Sequence, residues 1–236
     1  MGRIFEKRKH KMFARYDKMA KAFTKIGREI AIAVKAGGPD PNNNPRLRAA
    51  IQSGKGVNMP KDRIDNAIKR ASAKGEANFE ETVYEGYGPY GVAIVVETAT
   101  DNPTRTVANV RMYFNRGNGT LGKTGSLDFM FQRKGVFRIE RNDKLNPEEL
   151  ELELIDFGLD SMDIDDEEIV VNTLYEDFHK MSKALEDKGI QVKKAALERI
   201  PNTFVELPEE QQDEILQLVD KFEEDDDVQA VYHNLK

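Results

Sequence analysis

The chain has 236 residues, 39% of them hydrophobic and 8% aromatic, a composition that supports folded domains and excludes a disordered chain. It contains no cysteine, which excludes disulfides, thiol nucleophiles and thiolate metal sites. The net charge of −6 conceals a division: residues 1–78 hold 19 of the 36 Lys and Arg but only 7 of the 42 Asp and Glu, so +12 at the front stands against −18 in the rest.

A basic end on an acidic body lets a molecule meet a polyanion with one face while the remainder keeps it soluble. No apolar run reaches the roughly 20 residues that cross a bilayer. The basic start has no apolar stretch behind it to make a secretory signal, and Met1-Gly2 lacks the Ser or Thr that myristoylation expects. The expectation is a cytoplasmic protein with no membrane partner.

In chain order, the first twelve or so residues read as a mobile basic arm carrying Lys7, Arg8, Lys9 and Lys11. A helix is predicted over 15–36, where Met19, Phe23, Ile26, Ile30 and Val34 recur at spacings of three and four. Lys18, Lys21, Lys25 and Arg28 fall beside or opposite that stripe, and Gly37-Gly38-Pro39 ends the helix. After the polar turn DPNNNP, a helix over 45–56 turns Leu47, Ala50 and Ile51 inward and leaves Arg46, Arg48 and Lys55 wet. Pro60 opens a third helix that buries Ile64, Ala67, Ile68 and Ala71, with Lys61, Arg63, Lys69 and Arg70 outside. These cations predict phosphate contacts, strong at low salt and weak in base preference.

The next segment alternates Tyr84, Tyr87 and Tyr90 with Gly86, Gly88, Pro89 and Gly91, the composition of a loop that displays aromatic rings. A buried strand follows over 92–96, then the turn Asp101-Asn102-Pro103 and a helix whose apolar contacts are Val107, Val110, Met112 and Phe114. Arg105, Arg111 and Arg116 are basic sites on this part of the chain. Two readings stand side by side: a stacking and phosphate-contact surface, or tyrosines that pack a strand edge. Residues 117–124 formally satisfy the phosphate-loop pattern, yet they follow a helix and are interrupted by Gly125-Ser126, so they read as a loop into a strand near 127–131.

Beyond it, a strand at 136–140, a helix at 147–157, strands at 159–164 and 168–174, a helix at 175–188 and a strand at 191–198 give the β-α-β-β-α-β order of a ferredoxin-like unit. The last helix, 208–222, and strand, 228–235, are too small to stand alone and are expected to return to the sheet of 80–131. The fold class is therefore α+β. Residues 1–78 form the arm and a three-helix bundle, 79–132 with 205–236 a middle α+β domain, and 133–204 an inserted ferredoxin-like domain. The runs Asp225-Asp226-Asp227 and 163–168 read as solvated acidic turns, and His10, His179 and His233 have no ligand spacing. No cofactor, metal or catalytic residue is expected.

Long runs resemble the YebC/PmpR family, to which a mitochondrial translational activator also belongs: FTKIGREIAIAVKAGG, DPNNNPRLRAAI, NMPKDRIDNAIKRA, YEGYGPYGVAIVVE, TDNPTRTVANVR and GNGTLGKTGSLDFMFQRKG. The resemblance spans nearly the whole chain. It departs at the start, where the family's usual tryptophan is missing but the basic character is kept. The resemblance implies three domains matching the segmentation above and no enzymatic activity. It implies a DNA-binding transcriptional regulator or, alternatively, a translation factor at the ribosome and its rRNA. The basic residues of the arm and bundle, with Tyr84, Tyr87, Arg105 and Arg111, are the expected contact set, and the acidic domain is a candidate for docking another protein.

Overall fold

The computed structural model describes residues 3–73, 78–142 and 145–236, with side chains from Met19 onward. The chain divides into two compact units, 1–76 and 77–236.

The first unit is helical: α1 (Arg3–Gly37), α2 (Pro45–Gly56) and α3 (Lys61–Ala71). The helix of α1 begins at Arg3, so the expected arm is part of it. The reason is compositional, since residues 3–26 contain neither glycine nor proline and are rich in good helix formers. Of the residues that the spacing turned inward, Phe23, Ile30, Val34, Leu47, Ala50, Ile64 and Ala71 are buried, while Met19, Ile26, Ile51, Ala67 and Ile68 are half-buried. Asn44 holds the α1–α2 corner. Its Oδ1 accepts from Leu47 N as the N-cap of α2, and its Nδ2 donates to Ala33 O at 2.7 Å and Gly38 O at 2.8 Å. The tight corner leaves no room at Gly37, where a Cβ would lie 2.9 Å from the Asn44 amide.

The second unit contains two four-stranded antiparallel sheets. The first runs β3 (Thr120–Leu121), β1 (Glu80–Tyr87), β2 (Ala93–Thr100), β8 (Val228–His233). Helices α4 (Pro103–Arg116) and α7 (Glu209–Glu223) belong to one face, where Tyr84, Ile94, Val96, Val110, Phe114, Leu218 and Phe222 share a core. The opposite face packs Ala93 and Val95 against Leu127 and Phe131. Coverage of both faces explains why β2 is buried almost throughout, its first four residues apolar.

The second sheet is ordered β5 (Leu159–Ile164), β6 (Glu168–Leu174), β4 (Phe131–Glu140), β7 (Val192–Pro201). Helices α5 (Pro147–Ile155) and α6 (Phe178–Asp187) are its crossovers. Leu150, Leu154, Met181 and Leu185 are buried, and the Phe137 and Phe178 rings stack 4.8 Å apart. The two sheets are joined by polar contacts. Arg199 Nε donates to Glu97 Oε1 at 2.8 Å, and Asn202 N donates to Met130 O at 2.8 Å.

Three expectations change here. The first half of the 84–91 segment, 84–87, is strand rather than loop, because β1 pairs with β2 from Glu80 to Tyr87; the expected positive-φ turn is confined to 89–91, at Tyr90 and Gly91. Residues 128–130 form a 3₁₀ turn, and the strand starts at Phe131. The acidic run 225–227 is a turn, as expected, but it is not solvated throughout: Asp226 is exposed, whereas Asp227 is 2% exposed and accepts from Arg105 and from the Thr100 and Thr106 hydroxyls. A buried carboxylate needs such partners to remain charged. The other acidic turn is exposed, and there Asp165 accepts from the backbone N–H of Glu167 and Glu168. Those hydrogen bonds, Glu168's first, hold its carboxyl below the usual range.

Candidate nucleic-acid interface

In the helical unit the expected basic residues separate into two kinds. Arg46 is committed to the fold by a bidentate pair with Glu29, at 2.8 and 3.3 Å. Arg48 is likewise committed, since its Nη1 donates to Pro41 O and Asn42 O and closes the DPNNNP turn. The second kind is displayed. Lys61, Lys69 and Arg70 of α3 are exposed and carry no ion pair among the described residues. Arg63 is exposed too, with its guanidinium 5.5 Å from the centre of the Phe23 ring. Lys21, Lys25 and Arg28 are half-buried on α1. The side chains of Lys7, Arg8, Lys9, Lys11 and Lys18 lie outside the described residues.

Within the second unit the expected contact set is largely dispersed. Tyr84 is a core residue, buried on the α4–α7 face of the first sheet, and burial raises its phenol pKa. A ring packed there cannot stack on a base, so this expectation is withdrawn. Arg105 is spoken for by Asp227 at 2.7 Å and Asp101 at 2.9 Å. Its task is to neutralise a buried carboxylate. Arg111 and Arg116 are exposed on α4. Tyr87 is 40% exposed, and its hydroxyl meets Met130 Sδ at 3.8 Å. Tyr90, at φ 61°, donates its hydroxyl to Glu214 at 2.9 Å.

The Gly-rich loop has a geometry that disposes of the nucleotide-hydrolysis reading. Its amides at Gly125 and Leu127 point at the carboxylate of Glu85, at 2.9 and 2.6 Å, and Ser126 Oγ lies 3.4 Å from the same group. Glu85 is buried, so the anion that these amides cradle is the protein's own. Lys123 and Thr124 remain exposed at the loop's surface. The sequence reading missed Phe129, 73% exposed in the 3₁₀ turn, because it placed the residue inside a strand. Asp128 immediately before it, two residues after Gly125-Ser126, was the available signal for a turn.

No group of three or more His, Asp and Glu able to hold a metal occurs among the described residues, and none of their helices is long and apolar enough to cross a membrane.

Comparison with known proteins gives a consistent result. Residues 3–74 match the TACO1/YebC protein N-terminal domain, and residues 79–235 match the TACO1/YebC second and third domain. A "Probable transcriptional regulatory protein" of Cytophaga hutchinsonii is 59% identical, with 100% of this chain and 98% of the relative aligned. Similarly named proteins of Parabacteroides distasonis and Myxococcus xanthus are each 51% identical; all of this chain aligns, with 97% and 100% of theirs. Among solved structures, a conserved hypothetical protein from Aquifex aeolicus superposes with a TM-score of 0.82 at 37% identity, over 92% of this chain and 90% of that one.

Proposed function

The chain belongs to the TACO1/YebC family, and from that membership we propose that it is a non-enzymatic, nucleic-acid-binding regulator of gene expression, acting on DNA as a transcriptional regulatory protein. The observation that carries the reading is the display of four cations on the 11-residue helix α3, where Lys61, Arg63, Lys69 and Arg70 are all exposed. With Lys21, Lys25 and Arg28 of α1, and the basic residues from Lys7 to Lys18, this unit supplies the positive charge. Arg111 remains a candidate contact in the second unit; Tyr84 and Arg105 do not.

A ribosomal or rRNA-directed role is the second reading. It is favoured by the chemistry of α3, whose displayed cations read phosphate and shape rather than base edges, which suits structured RNA. Both readings place the protein in the cytoplasm.

The domain reading accompanies this function. Residues 133–204 are an inserted ferredoxin-like domain, supported by the β-α-β-β-α-β order and by the strand order β5-β6-β4-β7. Residues 79–132 and 205–236 form the middle domain, supported by hydrogen bonding of β8 to β2.

The test replaces Lys61, Lys69 and Arg70 together by Glu and measures binding to a duplex DNA and a structured RNA across salt concentrations. Affinity for the functional target should fall about ten-fold or more, and the slope of log K against log salt should shrink by about three. Unchanged affinity and slope for both targets would overturn the proposal.

A further inference from the structure

Helix α5 turns two large apolar side chains outward. Leu150 and Leu154 are its buried residues, and at about 100° per residue Leu152 falls on the opposite side. Leu152 is 70% exposed, and Ile155, three residues further on, is 56% exposed. Side chains at i and i+3 are neighbours on a helix surface, so the two form one apolar ridge. The ridge belongs to a wider pattern. Leu152, Ile155, Ile164, Leu174 and Tyr175, five of the ten large exposed hydrophobic side chains among the described residues, all fall within residues 145–179.

That same stretch holds 13 Asp and Glu and no Lys or Arg. Glu148, Glu149, Glu151 and Asp156 share the exposed surface of α5 and its C-cap, and none makes an ion pair among the described residues. Glu153 does find a cation, Lys188 of the segment after α6, at 2.6 Å. Helix stability does not account for this charge. Glu148 and Glu149 lie in the first turn, where the helix dipole favours them, but Asp156 caps the far end, where it does not. Glu148 and Glu151 stand three apart, and Glu149 and Glu153 four apart, the spacings at which like charges repel. A cation brought from outside relieves that repulsion, and an apolar stripe brought with it covers Leu152 and Ile155.

We propose that the outward face of α5 docks a basic amphipathic helix of another protein. The partner's apolar stripe lies on Leu152 and Ile155, and its Lys or Arg side chains meet Glu148, Glu151 and Asp156. Charge complementarity selects this occupant. Nucleic acid and anionic lipid are repelled by the field that attracts a basic segment. A second copy cannot present its own α5 here, because acid would oppose acid. The inference goes beyond the nucleic-acid reading and stands apart from it, since it uses none of the cations of α1 or α3.

The test uses the full chain and a fluorescent peptide of about 18 residues, long enough to be helical when bound, with leucines at helical spacing and lysines elsewhere. A scrambled peptide of the same composition is the control. Wild type should bind the patterned peptide about ten-fold or more tightly than the scrambled one. Leu152→Gln with Ile155→Gln should remove that preference and keep α5 helical, since glutamine is a good helix former. Glu148→Gln with Glu151→Gln should weaken both peptides and flatten their salt dependence. Leu216→Gln, on the acidic helix α7 and 44% exposed, should change neither affinity. Equal binding of the two peptides by wild type overturns the proposal, as does a preference that survives in the Leu152/Ile155 variant. Sedimentation supplies the remaining outcome: self-association of wild type that the Leu152/Ile155 variant loses gives this face to a second copy's basic unit and overturns the proposal. An unchanged thermal transition confirms that each variant is folded.

Discussion

Arg105 and Asp227 stand 122 residues apart in sequence, yet the guanidinium Nη2 lies 2.7 Å from the carboxylate Oδ2. The same oxygen accepts from Thr100 and Thr106, so the start of α4 and the start of β8 are closed around one buried charge. Arg105→Ala leaves that charge without its cation. The expected outcome is a lower midpoint of thermal unfolding at neutral pH, and a smaller deficit in acid, where the carboxylate can take up a proton. Thermal melts of wild type and variant at about pH 7.5 and about pH 4.5 check this; a deficit that grows in acid contradicts it.

Glu85 should behave as a loop clamp. Glu85→Gln keeps the shape but replaces an acceptor-only group by one that also donates, facing amides that need acceptors. A loss of about 1–3 kcal/mol in urea unfolding is expected, with faster hydrogen exchange at Gly125 and Leu127. Protection unchanged at both amides would show that the loop holds itself.

Asn44 serves three backbone groups at once. Asn44→Ala removes the α2 cap and strands two carbonyls at the α1–α2 corner, for an expected loss of about 2 kcal/mol. Circular dichroism should show the helical unit losing structure at lower denaturant. Asn44→Asp should recover only the cap, because a carboxylate cannot donate to Ala33 O or Gly38 O.

Glycines give a paired test. A Cβ on Gly86 would lie 2.5 Å from Thr120 O and 2.8 Å from the Phe114 ring, whereas one on Gly27 meets nothing within 4 Å. Gly86→Ala should destabilise the second unit because backbone and a buried ring must both move. Gly27→Ala, inside α1, should stabilise by about 0.5–1 kcal/mol. Equal effects in denaturant titrations would refute the packing argument.

His233, on β8, has its pKa lowered from 6.5, burial being the largest cause. The folded state therefore resists protonation, while the unfolded chain takes a proton near 6.5. Its contribution is complete above that value and is lost as pH falls towards the lower folded-state pKa. His233→Gln should reduce the loss of stability between about pH 7.5 and about pH 5.5, read from urea midpoints. An identical loss in the variant would assign the pH dependence to other groups.

Much of this architecture is written in local pattern. The apolar spacing of α1 led to Phe23, Ile30 and Val34 in its core, and the bounds 159–164 and 168–174 of two strands followed from alternation and a turn. Pairing of the C-terminal strand with the sheet that begins at residue 80 followed from the inability of one helix and one strand to bury a core. The charge division is likewise a property of sequence alone, and so is the match of its motifs to one family.

Which individual side chains are available for a ligand was decided only by tertiary structure. Tyr84 and Tyr87 are three residues apart on β1, yet strand alternation sends one into the α4–α7 core and leaves the other partly in water. Arg46 and Arg105 look as free in sequence as Lys61, but Glu29 and Asp227 reach them from distant positions. Phe129 is displayed in a loop held by Glu85 of β1 and by Asn202, just after β7, both far from it in the chain. Charge and periodicity are sums over neighbours and survive without coordinates; the use of a single hydrogen-bonding group depends on which remote residue arrives beside it.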